Sequence, residues 1–290
     1  MVSLEKCDRL MNLSKNFEGA TPTKEKDTYR DLWVFIEQRN GKIMRVSFEL
    51  LGIGRQLVDK WNSLRPSEQR KAQLCALLLG HNIKNLAKEC IYYGADKVYI
   101  IDDPILKDYR TLPYAKTVSR LVQEKKPEGL IIGGTRNGRD FSARIGVAIK
   151  AGVAADTTEL SIDEEKKLLI MGRPAFGGRI VASIICPDHR PQICTVRAGV
   201  FKPLNRDEKR QGVIEEIKYD LKESESMTKV LKFIPVDEIN IEEAEIIVAG
   251  GKGVGSKEGF KVIEQLANAL GGTVGASRAA VDAGWISHEH

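Results

Sequence analysis

The sequence predicts an α/β protein: a parallel-sheet, nucleotide-binding-like N-terminal domain with an added antiparallel β portion, followed by part of a Rossmann-like domain. Three observations lead to this prediction. Short apolar runs alternate with amphipathic helical stretches over the first half of the chain. Segments of β-like composition, separated by Gly and Pro turns, follow Gly152, and a new strand–glycine–helix pattern begins near residue 245.

The first domain opens with an apolar run at 32–37, a turn at 39–41 and a helical stretch at 46–61. The same alternation then repeats three times. Strands are predicted at 74–80, 97–102 and 129–134, and helices at 83–93, 114–124 and 140–150. Four apolar strands separated by amphipathic helices predict a parallel sheet that helices cover on both faces.

The later part of the chain is expected to finish this domain and to begin another. The segments at 159–163, 167–178, 179–187 and 192–201 have the texture of antiparallel strands. A highly charged stretch then suits a connector. The expected division is an N-terminal extension at 1–30, a first domain at 31–203, a connector at 204–240 and a partial second domain at 241–290.

Composition excludes several classes of protein. The 290 residues carry 45 Lys and Arg against 40 Asp and Glu, and the two signs are interspersed, which gives little support for nucleic acid as the main partner. No apolar window approaches the roughly 18 residues of a membrane span, and no secretory signal precedes the charged start, so we expect a cytoplasmic protein. The five cysteines form no CxxC pair, which argues against a disulfide framework. Any redox chemistry would therefore have to come from a cofactor.

A glycine cluster at 250–256 is the most informative motif. It follows a predicted strand and opens a helix at 257–270, where free backbone N–H groups and the helix dipole favour an anion such as a phosphate. The letters match neither GxGxxG nor a Walker A loop, so a merely tight turn is the alternative. Ser277 and Arg278 end the next predicted strand, where ligands of open α/β sheets bind, although Arg278 has the alternative of being an ordinary surface residue.

The other candidate ligand, metal and catalytic sites have weaker support in the sequence. The junction at 133–140 has the same strand-to-helix form and is either a nucleotide site or only a turn. Cys186, His189 and Cys194 raise the question of zinc, but their spacing is poor and we expect no metal. The terminal 288–290, His-Glu-His, is expected to be exposed chain. Since no Ser-His-Asp or paired-carboxylate arrangement stands out, hydrolase chemistry has no positive support, and we expect no catalytic acid or base.

Two segments resemble the flavin-domain signature of the electron transfer flavoprotein alpha subunit: VAGGKGVGSKEGF at 248–260 and GGTVGASRAAVDAGW at 271–285. The resemblance extends to the first domain through 49–60 and 131–160, and only residues 1–30 lie outside it. It implies a first domain that packs on a beta subunit, and a second domain that holds FAD and swings to deliver electrons to or from an acyl-CoA or other dehydrogenase.

The resemblance also assigns individual residues. Lys252, between Gly251 and Gly253 of the glycine cluster, stands where the family has a basic residue that touches FAD. Ser277 and Arg278 match the flavin-contacting Ser-Arg pair, and Arg278 would lie beside the isoalloxazine and favour reduced, anionic flavin through its charge. Later family segments that contact FAD are not in this sequence, so we expect an incomplete FAD site.

The segment at 173–197 resembles the anaerobic, electron-bifurcating branch of the family. That branch implies NADH and a second FAD in the beta subunit, with ferredoxin as a further partner; otherwise AMP is expected in the beta subunit. The alternative from a different class is a nucleotide-binding regulatory or scaffold subunit without a redox role.

Overall fold

The computed structural model describes residues 26–65, 71–232, 241 and 244–287. The chain divides into two compact units, unit 1 up to Lys229 and unit 2 from Val230 onward. Most of the expected N-terminal extension, residues 1–25, lies outside the described residues, as do 233–240 of the expected connector and 288–290.

The described α-helices and strands include the predicted ones in the predicted order, together with several short elements that the sequence did not predict. The helices are α1 (Arg45–Ser63), α2 (Ala87–Tyr92), α3 (Thr111–Lys125), α4 (Arg136–Ile149), α5 (Phe260–Leu270) and α6 (Arg278–Asp282). The strands are β1 (Arg30–Ile36), β2 (Gln38–Arg39), β3 (Lys42–Ile43), β4 (Leu74–Gly80), β5 (Lys97–Asp102), β6 (Pro127–Gly133), β7 (Val153–Thr157), β8 (Glu159–Ile162), β9 (Leu169–Ala175), β10 (Ile180–Ile184), β11 (Gln192–Val196), β12 (Val213–Glu216), β13 (Ile247–Gly250) and β14 (Thr273–Ala276).

Unit 1 is built on a seven-stranded sheet in the order β12-β5-β4-β1-β6-β11-β7. Every neighbouring pair in it is parallel, which confirms the predicted sheet. The direction of winding reverses between β1 and β6, which are adjacent although β4 and β5 lie between them in the chain. Such a switch point is where open α/β sheets commonly bind ligands.

Two apolar cores lie on opposite faces of this sheet. Alternate residues of β1 separate between them, because successive side chains of a strand point to opposite faces. Leu32 and Val34 join the core that contains α1 and α2, whereas Trp33 and Phe35 join the core beneath α3 and α4. A strand that is buried on both sides reads as a continuous apolar run, which is why β1 and β4 could be located from the sequence.

The antiparallel portion is smaller than the sequence predicts. Strands β8, β9 and β10 form a three-stranded antiparallel sheet, as expected. The expectation of a further antiparallel strand at 192–201 is wrong, because β11 pairs in parallel with β6 and β7 inside the main sheet. All five residues of β11 are buried, which is the pattern of an inner parallel strand.

The segment expected as a connector contributes to unit 1 over much of its length. Residues 213–216 form β12, which pairs in parallel with β5 at the edge of the main sheet. Glu215 of β12 forms ion pairs with Lys97 (2.6 Å) and Lys125 (2.7 Å). The short VIEE strand is hard to recognise in the sequence, because its residues are largely exposed and its contacts with the rest of the sheet include ion pairs instead of a buried apolar face.

Unit 2 contains the strand–helix–strand unit β13–α5–β14. The two strands pair in parallel, with Ile247 opposite Thr273 and Gly250 opposite Ala276. Phe260 and Ala267 of α5 are buried. Among the described residues of both units, no helix is both long enough and apolar enough to cross a membrane.

Residues 202–204 press against α1, and this contact can be tested at Gly52. A Cβ added at Gly52 would lie 2.5 Å from the carbonyl oxygen of Lys202. We expect Gly52→Ala to lower the free energy of unfolding of unit 1 by about 1–2 kcal/mol, because the cost of overpacking exceeds the better helix propensity of alanine. Urea-induced unfolding measures the change.

The matched control for this prediction is Gly152→Ala, whose added Cβ would meet only the Cys186 Sγ at an ordinary 3.4 Å. It should change stability by no more than about 0.5 kcal/mol. Equal stabilities of the two variants would contradict the contact between 202–204 and α1.

Candidate functional site

The ends of two parallel strands meet in unit 2. Because β13 and β14 run in the same direction and Gly250 lies opposite Ala276, their carboxyl ends lie at one edge. The turn that follows β13 and the start of α6 after β14 therefore lie side by side. All five predicted site residues come from these two segments: Gly251, Lys252, Gly253, Ser277 and Arg278.

The glycines of the turn after β13 serve two different purposes. At Gly250 an added Cβ would lie 2.6 Å from the Phe260 Cε1, so this glycine allows α5 to pack closely on the strand. At Gly253 an added Cβ would meet no atom within 4 Å, and Gly255 has a φ of +85°, which glycine adopts without strain. The outer glycines thus leave the backbone of the turn open to close approach by a ligand.

Ser277 joins the two segments. Its backbone N–H donates to the carbonyl oxygen of Gly250 (2.9 Å), and a Cβ on Gly251 would lie 3.6 Å from the Ser277 Oγ. Ser277 occupies the N-cap position of α6, yet its side chain forms no capping hydrogen bond. Its hydroxyl is therefore not engaged by the helix that it begins.

Cationic side chains border the same edge. The Arg278 side chain is 93% exposed, and its Nε lies 3.4 Å from the Asp282 Oδ2 one helical turn later. Lys252 is exposed in the short 3₁₀ turn Lys252–Val254. Two cations, open glycine backbone and an uncommitted hydroxyl suit an anionic ligand that carries phosphate groups.

The corresponding edge of unit 1 has no such openness. Thr135 caps α4, since its Oγ1 accepts from the Gly138 N–H (3.0 Å), and the same hydroxyl donates to the buried Glu37 Oε2 (2.5 Å). A Cβ at Gly138 would lie 1.9 Å from the Gly133 carbonyl oxygen. The junction at 133–140 is therefore a tightly packed turn, and the structure favours that alternative over a nucleotide site.

Aromatic side chains fill the space beside this turn. The cavity lined by Phe35, Glu37, Tyr109, Tyr114 and Asn137, among others, has a volume of about 20 Å³, which suits little more than one water molecule. Tyr109 donates to the Asp140 Oδ2 (2.8 Å) and so ties the loop before α3 to α4. The switch point of unit 1 is occupied by the protein's own side chains.

The two thiols of the zinc candidate, those of Cys186 and Cys194, are poorly suited to metal binding. Cys194 is fully buried in β11, and burial raises the pKa of its thiol to about 12. Burial also raises the pKa of the Cys186 thiol. Within the described part of the chain, no group of three or more His, Cys, Asp or Glu residues could hold a metal ion. The sequence 288–290 lies outside that part.

A groove beside the β9–β10 hairpin was not recognised from the sequence. It has a volume of about 680 Å³ and is lined by Arg173, Pro174, Phe176, Ile184 and Arg197, among others. Phe176, at the tip of the hairpin, is 81% exposed. The sequence shows an apolar hairpin but cannot show that its outer face remains uncovered, since that depends on which strands join the main sheet.

Comparison with known proteins decides the family. A family model described as "Electron transfer flavoprotein domain" matches residues 32–222, and one described as "Electron transfer flavoprotein FAD-binding domain" matches 240–290. The chain is 48% identical to the electron transfer flavoprotein subunit alpha of Thermoanaerobacterium thermosaccharolyticum over 264 residues, which are 90% of this chain and 77% of the relative. The chain belongs to the electron transfer flavoprotein alpha-subunit family.

Other relatives carry related names. The chain is 44% identical to the electron transfer flavoprotein subunit alpha of Clostridium acetobutylicum, with 91% of this chain and 77% of the relative covered. It is 38% identical to "Acryloyl-CoA reductase electron transfer subunit beta" of Anaerotignum propionicum, again with 91% and 77% covered. The resemblance to the electron transfer flavoprotein alpha subunit seen in the sequence is confirmed.

The residues of unit 2 fit the flavin cofactor of this family. The matched FAD-binding domain contains both the open glycine turn and the Ser277–Arg278 pair. The unengaged Ser277 hydroxyl offers a hydrogen-bond donor, and the open space at Gly253 leaves room for the phosphate groups of a dinucleotide at a strand end.

The packed turn of unit 1 gives a prediction at Thr135. Thr135→Val keeps the shape of the side chain but removes the hydrogen bonds to Glu37 and Gly138, so we expect a loss of about 2–3 kcal/mol in the free energy of unfolding. Thr135→Ser, which retains the hydroxyl, should lose about 1 kcal/mol or less. Urea unfolding and the flavin content of each purified protein are the measurements. If Thr135→Val bound less flavin at unchanged stability, the turn would be a ligand site after all.

Proposed function

We propose that the chain is an electron carrier that works as a heterodimer with the beta subunit of its family. Unit 2 binds FAD through Gly251, Lys252, Gly253, Ser277 and Arg278, accepts electrons, and passes them on after a rigid-body reorientation about the chain that connects the two units. The observation that carries this proposal is the convergence of these five residues at one edge of β13 and β14, inside the residues matched by the FAD-binding domain.

Each residue has a distinct task in the proposed site. Gly251 and Gly253 let the ligand approach the backbone, and the Ser277 hydroxyl offers one hydrogen-bond donor. Lys252 and Arg278 place positive charge at the strand ends. FAD, when bound, supplies the redox chemistry. The protein orients it and adjusts its potential through nearby charge, so the proposal needs no catalytic acid or base.

Unit 1 supplies the surface for the beta subunit in this proposal. The β9–β10 hairpin exposes Phe176 (81%), Ile180 (51%) and Val181 (45%) beside the groove of about 680 Å³. Exposed apolar side chains next to a groove are characteristic of protein interaction surfaces. The packed switch point of unit 1 supports placing any AMP or second FAD in the beta subunit rather than in this chain.

The electron donor or acceptor is proposed to be an acyl-CoA or other dehydrogenase. A relative named as the electron transfer subunit of an acryloyl-CoA reductase supports a partner of this class. The finer proposal is NADH-dependent electron bifurcation with ferredoxin and a second FAD, and it is supported by the sequence resemblance at 173–197. We place the protein in the cytoplasm, a reducing compartment, where the four free cysteines of the described chain would remain thiols.

Flavin stoichiometry tests the proposal. The chain is purified with its beta subunit, its visible absorption spectrum is recorded, and the released flavin and nucleotide are quantified per heterodimer. Two FAD support bifurcation, whereas one FAD with AMP supports a simple carrier. A colourless heterodimer would overturn the electron-carrier proposal and favour the nucleotide-binding scaffold.

Arg278 gives a sharper prediction about the flavin. Arg278→Ala should lower the flavin reduction potential by roughly 50 mV, because a positive charge that stabilises the reduced, anionic flavin is removed. Arg278→Lys keeps the charge and should retain most of the potential. Spectroelectrochemical titration of the two heterodimers measures both values. An unchanged reduction potential in Arg278→Ala would show that this residue does not lie close enough to the flavin to influence it.

A further inference from the structure

Residues 202–228 cross unit 1 as an extended strap before the boundary between the units. The strap starts against α1, where the Lys202 carbonyl lies close to Gly52, and Asp207 then donates its backbone N–H to the Tyr92 carbonyl (3.0 Å). It continues as β12 along the edge of the main sheet. Tyr219 then lies on α3, where its hydroxyl donates to the Glu124 Oε2 (2.7 Å).

The final anchor of the strap is Arg110. This residue precedes α3, and its side chain is only 9% exposed. Its Nη1 and Nη2 donate to the two carboxylate oxygens of Glu223 at 2.5 and 2.9 Å. Nη1 also donates to the Thr228 carbonyl (3.1 Å), and Nη2 to the Ile105 carbonyl (2.9 Å). One guanidinium therefore joins the body of unit 1 to two points near the end of the strap.

This arrangement has the features of a specific anchor. A bidentate arginine–carboxylate pair fixes direction as well as distance, which lysine cannot do. The hydrogen bond from Arg110 holds the pKa of the Glu223 carboxyl below its usual value, so the pair remains charged at neutral pH. Met227 and Leu231, on either side of Thr228, are 87% and 90% exposed. Apolar packing of these two side chains therefore does not hold the end of the strap.

We propose that Arg110 is a positioning residue for electron delivery: by holding Glu223 and the Thr228 carbonyl, it fixes where the chain leaves unit 1 and how much chain connects it to unit 2. This inference rests on the proposed function, in which the flavin-bearing unit 2 moves. With the anchor in place, the chain is held on unit 1 as far as Thr228. Without it, the last contact with unit 1 retreats to Tyr219 and Leu221, which pack against the core beneath α3.

The physical effect of losing the anchor follows from the part of the strap that it releases. Seven residues, 222–228, are then no longer held on unit 1, so the distances available to unit 2 widen. The effective concentration of unit 2 at any one docking position falls. Reorientation would still occur, but each productive encounter would be rarer.

The experiment uses the flavin-containing heterodimer with Arg110→Met or Glu223→Gln. Arg206→Met is the matched control, since Arg206 makes the same bidentate contact with Glu89 (2.9 and 2.7 Å) but lies on the strap before β12. Trypsin cleavage after Lys229 measures how readily the end of the strap detaches. Pulsed electron paramagnetic resonance between spin labels at Lys88→Cys in α2 and Lys261→Cys in α5 measures the distances between the two units.

Arg110→Met should be cleaved after Lys229 about tenfold faster than the parent, since all the charge-assisted hydrogen bonds that close the strap are lost. Glu223→Gln should show a smaller increase of about threefold, because Arg110 keeps its hydrogen bond to the Thr228 carbonyl. Both should also broaden the distance distribution, Arg110→Met more than Glu223→Gln. Arg206→Met should match the parent in both measurements. Because Glu223 is 59% exposed, Glu223→Gln preserves unit 1 and keeps the test valid even if Arg110→Met fails to fold.

Three results would overturn the inference: unchanged cleavage, faster cleavage with an unchanged distance distribution, or the same changes in Arg206→Met. None of these measurements depends on electron transfer. A heterodimer without flavin would therefore refute the proposed function and leave the anchoring result readable on its own.

Discussion

The structure of unit 1 depends on the burial of β1 on both of its faces. Leu32 and Val34 enter one core and Trp33 and Phe35 the other, so a single strand fixes the position of the helices on each side of the sheet. This central position also places the reversal of winding beside β1, between it and β6. The strand that carries the fold thus determines where a ligand crevice would form.

The two units use their strand ends in opposite ways. In unit 1, the Thr135 hydroxyl binds both Gly138 and the buried Glu37, and tyrosine side chains close the remaining space. In unit 2, the turn after β13 leaves open space at Gly253, and the Ser277 side chain caps no backbone amide. The same strand-to-helix geometry is therefore a closed structural junction in one unit and a candidate cofactor site in the other.

Charge, in addition to the apolar packing of Ile217, Tyr219 and Leu221, holds the segment that leads from unit 1 toward unit 2. Glu215 lies between Lys97 and Lys125, Asp96 accepts from both Arg55 and Arg210, and Arg110 closes the series at Glu223. Such contacts are directional and are weakened by salt when exposed. They attach the strap firmly at several points along its length, which suits a segment from which a moving unit would start.

The sequence by itself determined the order of the inner strands and helices, because strands such as β4, which are buried on both faces, must be apolar throughout. It also determined the site candidates of unit 2, since a glycine turn between a strand and a helix is readable locally, and the family followed from the same residues. Only the tertiary structure decided that β11 lies inside the parallel sheet and that β12 joins its edge, because pairing partners distant in the chain leave no local pattern. It also decided that Glu37 closes the edge of unit 1 at Thr135 and that Arg110 meets Glu223: these groups are far apart along the chain, and only folding brings them within hydrogen-bonding distance.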